Sequence, residues 1–160
     1  MSISFSSSEI FEMAERIERD AADFYRKASQ MFDNPYIQDL LVKFSRWEKR
    51  HEETFSQMRR QLSSQENKPD DFEPETDLSL YLETMQSLDV FKNKARELTG
   101  NERMRDVLKK AIEMEKDSIV FYLALKPFVK AQTARAKIQK IIDEEMKHIG
   151  MLTVSLKEHI

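Results

Sequence analysis

Glu115-Lys116-Asp117-Ser118-Ile119-Val120-Phe121-Tyr122 decides the fold, because the chain carries its pattern twice. Thirty residues after Glu115 stands Glu145-Met146-Lys147-His148. Earlier, Glu18-Arg19-Asp20-Ala21-Ala22-Asp23-Phe24-Tyr25 is followed thirty residues on by Glu48-Lys49-Arg50-His51. Both halves read E-x5-F-Y and then E-x-x-H, and the offset is 97 residues at every matched position. On a helix, seven residues return to within about 20° of the starting azimuth, so Glu18 shares a face with Tyr25 and Glu115 with Tyr122. Residues three apart lie on adjacent turns about 60° apart, so Glu48 with His51 and Glu145 with His148 can converge on one point.

Around these motifs the chain is patterned for helix. Two Gly and four Pro in 160 residues leave little to interrupt it. Ser6 and Glu9 have capping-box spacing ahead of a first helix, whose apolar stripe is Ile10, Met13, Ala14, Ile17, Ala21, Phe24, Tyr25 and Ala28. Asp33-Asn34-Pro35 ends it and starts a second, with Asn34 as cap. The second helix lines up Ile37, Leu40, Leu41, Phe44, Trp47, Phe55, Met58 and Leu62. Residues 63–76 are polar, contain two prolines and read as a loop; residues 77–99 read as one or two short helices ending at Gly100. Asn101 is the expected cap of the third helix, Pro127 disturbs its last turn, and a fourth helix runs from about Thr133 to near the C-terminus. The expected architecture is one all-α domain over residues 1–160. Its helical hairpins, at about 8–62 and 101–158, are joined by a long crossover at 63–100 and pack as a four-helix bundle.

Composition excludes several functions. The absence of cysteine rules out a disulfide framework, thiolate zinc and an iron–sulfur centre on this chain. A net charge of −3 gives no electrostatic case for nucleic acid. Without a signal-like start or a membrane-length apolar run, the expectation is a cytoplasmic protein with no membrane partner.

The chemistry lies in the interior polar residues. Burying an unpaired carboxylate costs several kcal/mol, and the pattern sends Glu18, Glu48, Glu115 and Glu145 inward at one level. Two divalent cations compensate them, because four carboxylates and two neutral imidazoles carry four negative charges. Oxygen and imidazole ligands without sulfur suit iron or manganese, and zinc is also compatible. A repeated hairpin that keeps these residues without metal, as a helical interaction module, is the alternative. Glu52, Glu53 and Glu144 flank the motifs without repeat partners, since Ile149, Gly150 and Trp47 occupy the matching places; they read as surface or supporting groups. Asp20 and Asp117 match each other but point about 200° away from the site glutamates, hence to the surface. Trp47 is expected at the bundle wall, and His159 is expected to have no specific role.

With these motifs the chain resembles a rubrerythrin-like member of the ferritin-like di-iron superfamily over essentially its whole length. The resemblance implies a ferritin-like bundle holding two iron ions. In it Glu48 and Glu145 correspond to bridging ligands, Glu18 and Glu115 to terminal ones, and His51 and His148 to one imidazole per iron. Tyr25 and Tyr122 correspond to hydrogen-bonding groups at the reaction centre. The resemblance also implies an oxidoreductase reacting with peroxide or oxygen, a separate electron-donor protein and a homodimer, with iron storage or ferroxidase action as the alternative. Two departures stand out. Rubrerythrins proper carry a cysteine-rich electron-delivery domain, absent here, and a further Glu three residues after the third-helix ligand, where this chain has Ser118.

Overall fold

The computed structural model describes residues 5–62, 80–84 and 97–159. Four long helices dominate: α1 (Ser7–Ser29), α2 (Pro35–Arg60), α3 (Met104–Leu125) and α4 (Gln132–Glu158). No strand is present among the described residues, and no helix there is long and apolar enough to cross a membrane. The expected crossover falls mostly outside the described residues; of the short helices expected between 77 and 99, residues 80–84 are helical, whereas residues 97–99, expected as the end of a helix, are not.

Local chemistry sets the helix ends. Ser6 accepts from the Glu9 amide while the Glu9 carboxylate accepts from the Ser6 amide, a complete capping box. Asn34 accepts from the Ile37 amide, and Pro35 occupies the first turn of α2, where its missing N–H leaves no bond unmade. Pro127 ends α3: the chain tightens into a 3-10 turn at Lys126–Phe128 before α4 begins. Asn101 does not cap α3. Arg103 holds the cap position without a side-chain bond, and Glu102 instead accepts from the Thr99 and Gly100 amides. Gly100 adopts φ +90°, so the turn into α3 is secured by a glycine and an acidic clamp.

The helices pair as two hairpins, α1 with α2 and α3 with α4. Contacts between the hairpins fix their direction. Glu18 meets Tyr122 while Tyr25 meets Glu115, so α1 and α3 run antiparallel. The apolar interior divides into two clusters. One gathers the start of α1, the end of α2, the end of α3 and the start of α4, around Phe11, Phe55, Phe121, Leu125 and Ile142. The other gathers the opposite ends, around Phe24, Leu41, Phe44, Leu108 and Leu152. A polar layer separates them. Burying a Leu or Phe contributes about 1.5–3 kcal/mol, so four uncompensated carboxylates in that layer would offset the gain from several core side chains.

Candidate metal centre

The polar layer is formed by Glu18, Glu48, His51, Glu115, Glu145 and His148, all buried, with Glu145 at 0% exposure. Each helix contributes at its midpoint, where the repeat places Glu18 on α1, Glu115 on α3, and an E-x-x-H pair on each of α2 and α4. Their donor atoms form two overlapping groups of four. Glu18, Glu48, His51 and Glu145 form one; Glu48, Glu115, Glu145 and His148 form the other. Glu48 and Glu145 belong to both.

The oxygens of these two shared residues divide between the imidazoles. From His51 Nδ1, Glu145 Oε1 is 3.1 Å away, Glu48 Oε2 3.4 Å and Glu18 Oε2 3.5 Å. From His148 Nδ1, Glu145 Oε2 is 2.8 Å away, Glu48 Oε1 3.1 Å and Glu115 Oε2 3.6 Å. Each shared carboxylate thus turns one oxygen to each half, and the two imidazole rings lie 5.8 Å apart and nearly parallel.

The tyrosines complete the pattern crosswise. Tyr25 on α1 donates to Glu115 Oε1 on α3, and Tyr122 on α3 donates to Glu18 Oε1 on α1. Glu18 and Glu115 therefore each give one oxygen to a tyrosine and turn Oε2 toward an imidazole. Burial first, and then the neighbouring carboxylates, raise both phenol pKa values well above the ordinary range, so both hydroxyls stay protonated donors. Phe44 stacks on Tyr25 and Phe55 packs on Tyr122, which holds the rings in place.

A cation fits this donor set. Glu48 Oε1, Glu145 Oε2 and His148 Nδ1 are buried with no hydrogen-bond partner, although they crowd within 3.1 Å of the imidazole nitrogen. Buried polar atoms are rarely left so, and atoms that converge without hydrogen-bond alignment lack a shared positive centre. Without one, protons take its place. Burial and the Glu48 charge push the Glu18 carboxyl up to about 8, and burial and the surrounding glutamates raise Glu145 well above its usual range. Burial alone would lower His148, but Glu115, Glu145 and Glu48 outweigh it and push the imidazole up to about 12; His51 is raised in the same way. Glu48 also feels burial and the Glu115 charge as raising effects, yet the adjacent imidazoles of His148 and His51 hold it below its usual value.

Two contacts lay outside the residues picked from the sequence. Glu15, one turn before Glu18, is buried and takes a bidentate bond from Arg59, both at 2.9 Å. Its signal was spacing: Glu15 lies four residues after Phe11, and Arg59 four after Phe55. Glu144, classed with the surface or supporting groups, accepts from His51 Nε2 at 2.7 Å. Glu52, also in that group, pairs with Arg19 and Lys49. Asp20 and Asp117 are exposed, as their azimuth predicts. Ser118 is buried and donates to the Met114 carbonyl of its own helix, so it offers the centre no ligand.

The family model for rubrerythrin matches residues 9–154. A solved structure from Thermotoga maritima, described as a ferritin-like diiron-carboxylate protein, superposes with a TM-score of 0.72 at 26% identity, over 98% of each chain. No curated protein matches the chain.

Proposed function

The chain belongs to the rubrerythrin family, and on that premise we propose that it is an iron-dependent oxidoreductase that reduces peroxide or oxygen. The observation that carries this reading is the pair of four-donor groups sharing Glu48 and Glu145. Glu48 and Glu145 would be held in common by two iron ions, with Glu18 and His51 completing one set of donors and Glu115 and His148 the other. Manganese or zinc is compatible with the same donors by type. When bound, the iron pair supplies two electrons by passing from the ferrous to the ferric state, matching the two electrons and two protons that convert hydrogen peroxide to two waters.

The protein's own groups prepare the centre for this. Tyr25 and Tyr122 fix the rotamers of Glu115 and Glu18, leaving one oxygen of each free to ligate. The two apolar clusters keep bulk water away from the layer between them. The protons that Glu18, Glu145 and the imidazoles hold in the metal-free state must leave as metal enters, so loading is favoured by rising pH. A separate protein is the electron donor proposed, and a homodimer in the cytoplasm is the assembly and setting.

Ser118 favours a second reading. Its hydroxyl is committed to Met114 where peroxide-reducing relatives place a further Glu, which leaves a symmetric ligand set suited to oxidising and holding iron. Stopped-flow reoxidation of the ferrous protein by peroxide and by oxygen, with excess reductant, separates the two. Many turnovers, faster with one oxidant, support the oxidoreductase. A single oxidation event per site supports storage.

A further inference from the structure

The internal repeat makes the six candidate ligands symmetric, but not what stands behind the imidazoles. Residue 144 precedes Glu145 on α4, and its repeat counterpart, residue 47, precedes Glu48 on α2. Each reaches across to the histidine of the opposite hairpin. Glu144 accepts from His51 Nε2 at 2.7 Å. Trp47 instead stacks on the His148 ring, with centroids 5.1 Å apart and planes 12° apart, while Phe44 meets the same ring edge-on at 4.9 Å. Among the described residues no carboxylate faces His148 Nε2. Phe44 is likewise unmatched, its counterpart being Ile141.

A carboxylate on the far nitrogen of a ligating histidine locks the tautomer, aims the near nitrogen and makes it a stronger donor, and its loss costs about tenfold to a hundredfold in metal affinity. Stacked aromatic rings hold an imidazole in place without adding charge. Glu144 is only partly screened: its other oxygen lies 4.0 Å from the Lys140 ammonium, and its side chain is 37% exposed. We propose that the two metal positions are inequivalent and fill in order, the His51 position first, with Glu144 as the positioning residue that sets the order. This rests on the dinuclear reading above. The chain would thus hold one resident ion beside His51 and one more readily exchanged beside His148.

Variants that leave one imidazole test the order directly. Metal-free full-length protein is titrated anaerobically with Co²⁺, following visible absorption against a competing chelator, with circular dichroism confirming that each variant is folded. His148→Ala keeps the Glu144-backed position and should bind its first ion about as tightly as the wild type. His51→Ala keeps the Trp47-backed position and should bind at least about tenfold more weakly. Adding Glu144→Ala to His148→Ala should bring its affinity down to the His51→Ala level, while Glu144→Gln, which keeps an acceptor without the charge, should fall between. Equal affinities for the two histidine variants, or no effect of Glu144→Ala, would overturn the proposed order while leaving the dinuclear centre intact. Fewer than two Co²⁺ per wild-type chain would instead remove the dinuclear reading, and the order with it.

Discussion

The two hairpins match at the centre and differ around it. Where the first hairpin carries the Glu15–Arg59 ion pair, the second has Ile112 and Leu156, both packed against an apolar cluster. Where the second carries Glu144 behind a histidine, the first has Trp47. Phe44 and Phe55 in the first hairpin are answered by Ile141 and Leu152 in the second. The tyrosine-to-glutamate bonds, by contrast, are repeated without change. Groups that would face a metal tolerate few chemical alternatives, whereas the packing behind them tolerates any combination that fills the volume and satisfies its polar atoms.

The largest effect should come from the residues common to both halves. The double substitution Glu48→Ala, Glu145→Ala removes both shared candidate ligands, and metal analysis should find it devoid of bound iron while circular dichroism shows an intact helical fold. Retained iron would show that the halves bind independently.

A smaller effect should appear in the metal-free protein as a function of pH. The Glu18 carboxyl is raised to about 8 from 4.5, so the folded state binds more protons than the unfolded state between those values. That contribution to stability is fully present below about pH 4.5 and is lost as pH rises through 8. Thermal melting of the metal-free chain across this window should show a slope that Glu18→Gln flattens; an identical slope in the variant would place the proton elsewhere.

The ion pair of the first hairpin ranks next. Arg59→Ala strands a buried carboxylate and should cost about 1–3 kcal/mol in chemical denaturation, at the modest end for a buried pair because Arg59 is about a third exposed. The replacement Glu15→Ile with Arg59→Leu copies the second hairpin and should come out near neutral. If it destabilises as much as Arg59→Ala, the halves are not interchangeable in packing.

The tyrosines should give the smallest and most symmetric change. Tyr25→Phe and Tyr122→Phe each remove one hydrogen bond to a carboxylate and, as the metal-free site reorganises around the loss, should cost about 0.5–1.5 kcal/mol each. Equal shifts in melting temperature would support the crosswise symmetry, and a large inequality would break it.

Most of the centre was legible because its residues violate the stripe they occupy. Glu18, Glu48, Glu115 and Glu145 stand among apolar neighbours, and the common offset ties them together. Glu15 violates its stripe too, but it has no repeat partner, and although Glu15 and Arg59 each fall on an apolar spacing, the 44 residues between them hide that they pair. Glu144 was visible only as a neighbour of Glu145, because its contact depends on how α2 and α4 face each other. Asn101 was a sound cap by residue type, yet the clamp from Glu102 moved the helix start two residues on. Long helices with strong caps follow from local chemistry; partners across the bundle follow from packing.

The central claim is a pair of metals held by shared carboxylates, and Mössbauer spectroscopy of protein loaded anaerobically with iron-57 and then oxidised tests it most directly. The account predicts two irons per chain and a spin-coupled diferric signal, because Glu48 and Glu145 each turn one oxygen to either side. One iron per chain, or uncoupled mononuclear ferric ions, would contradict it.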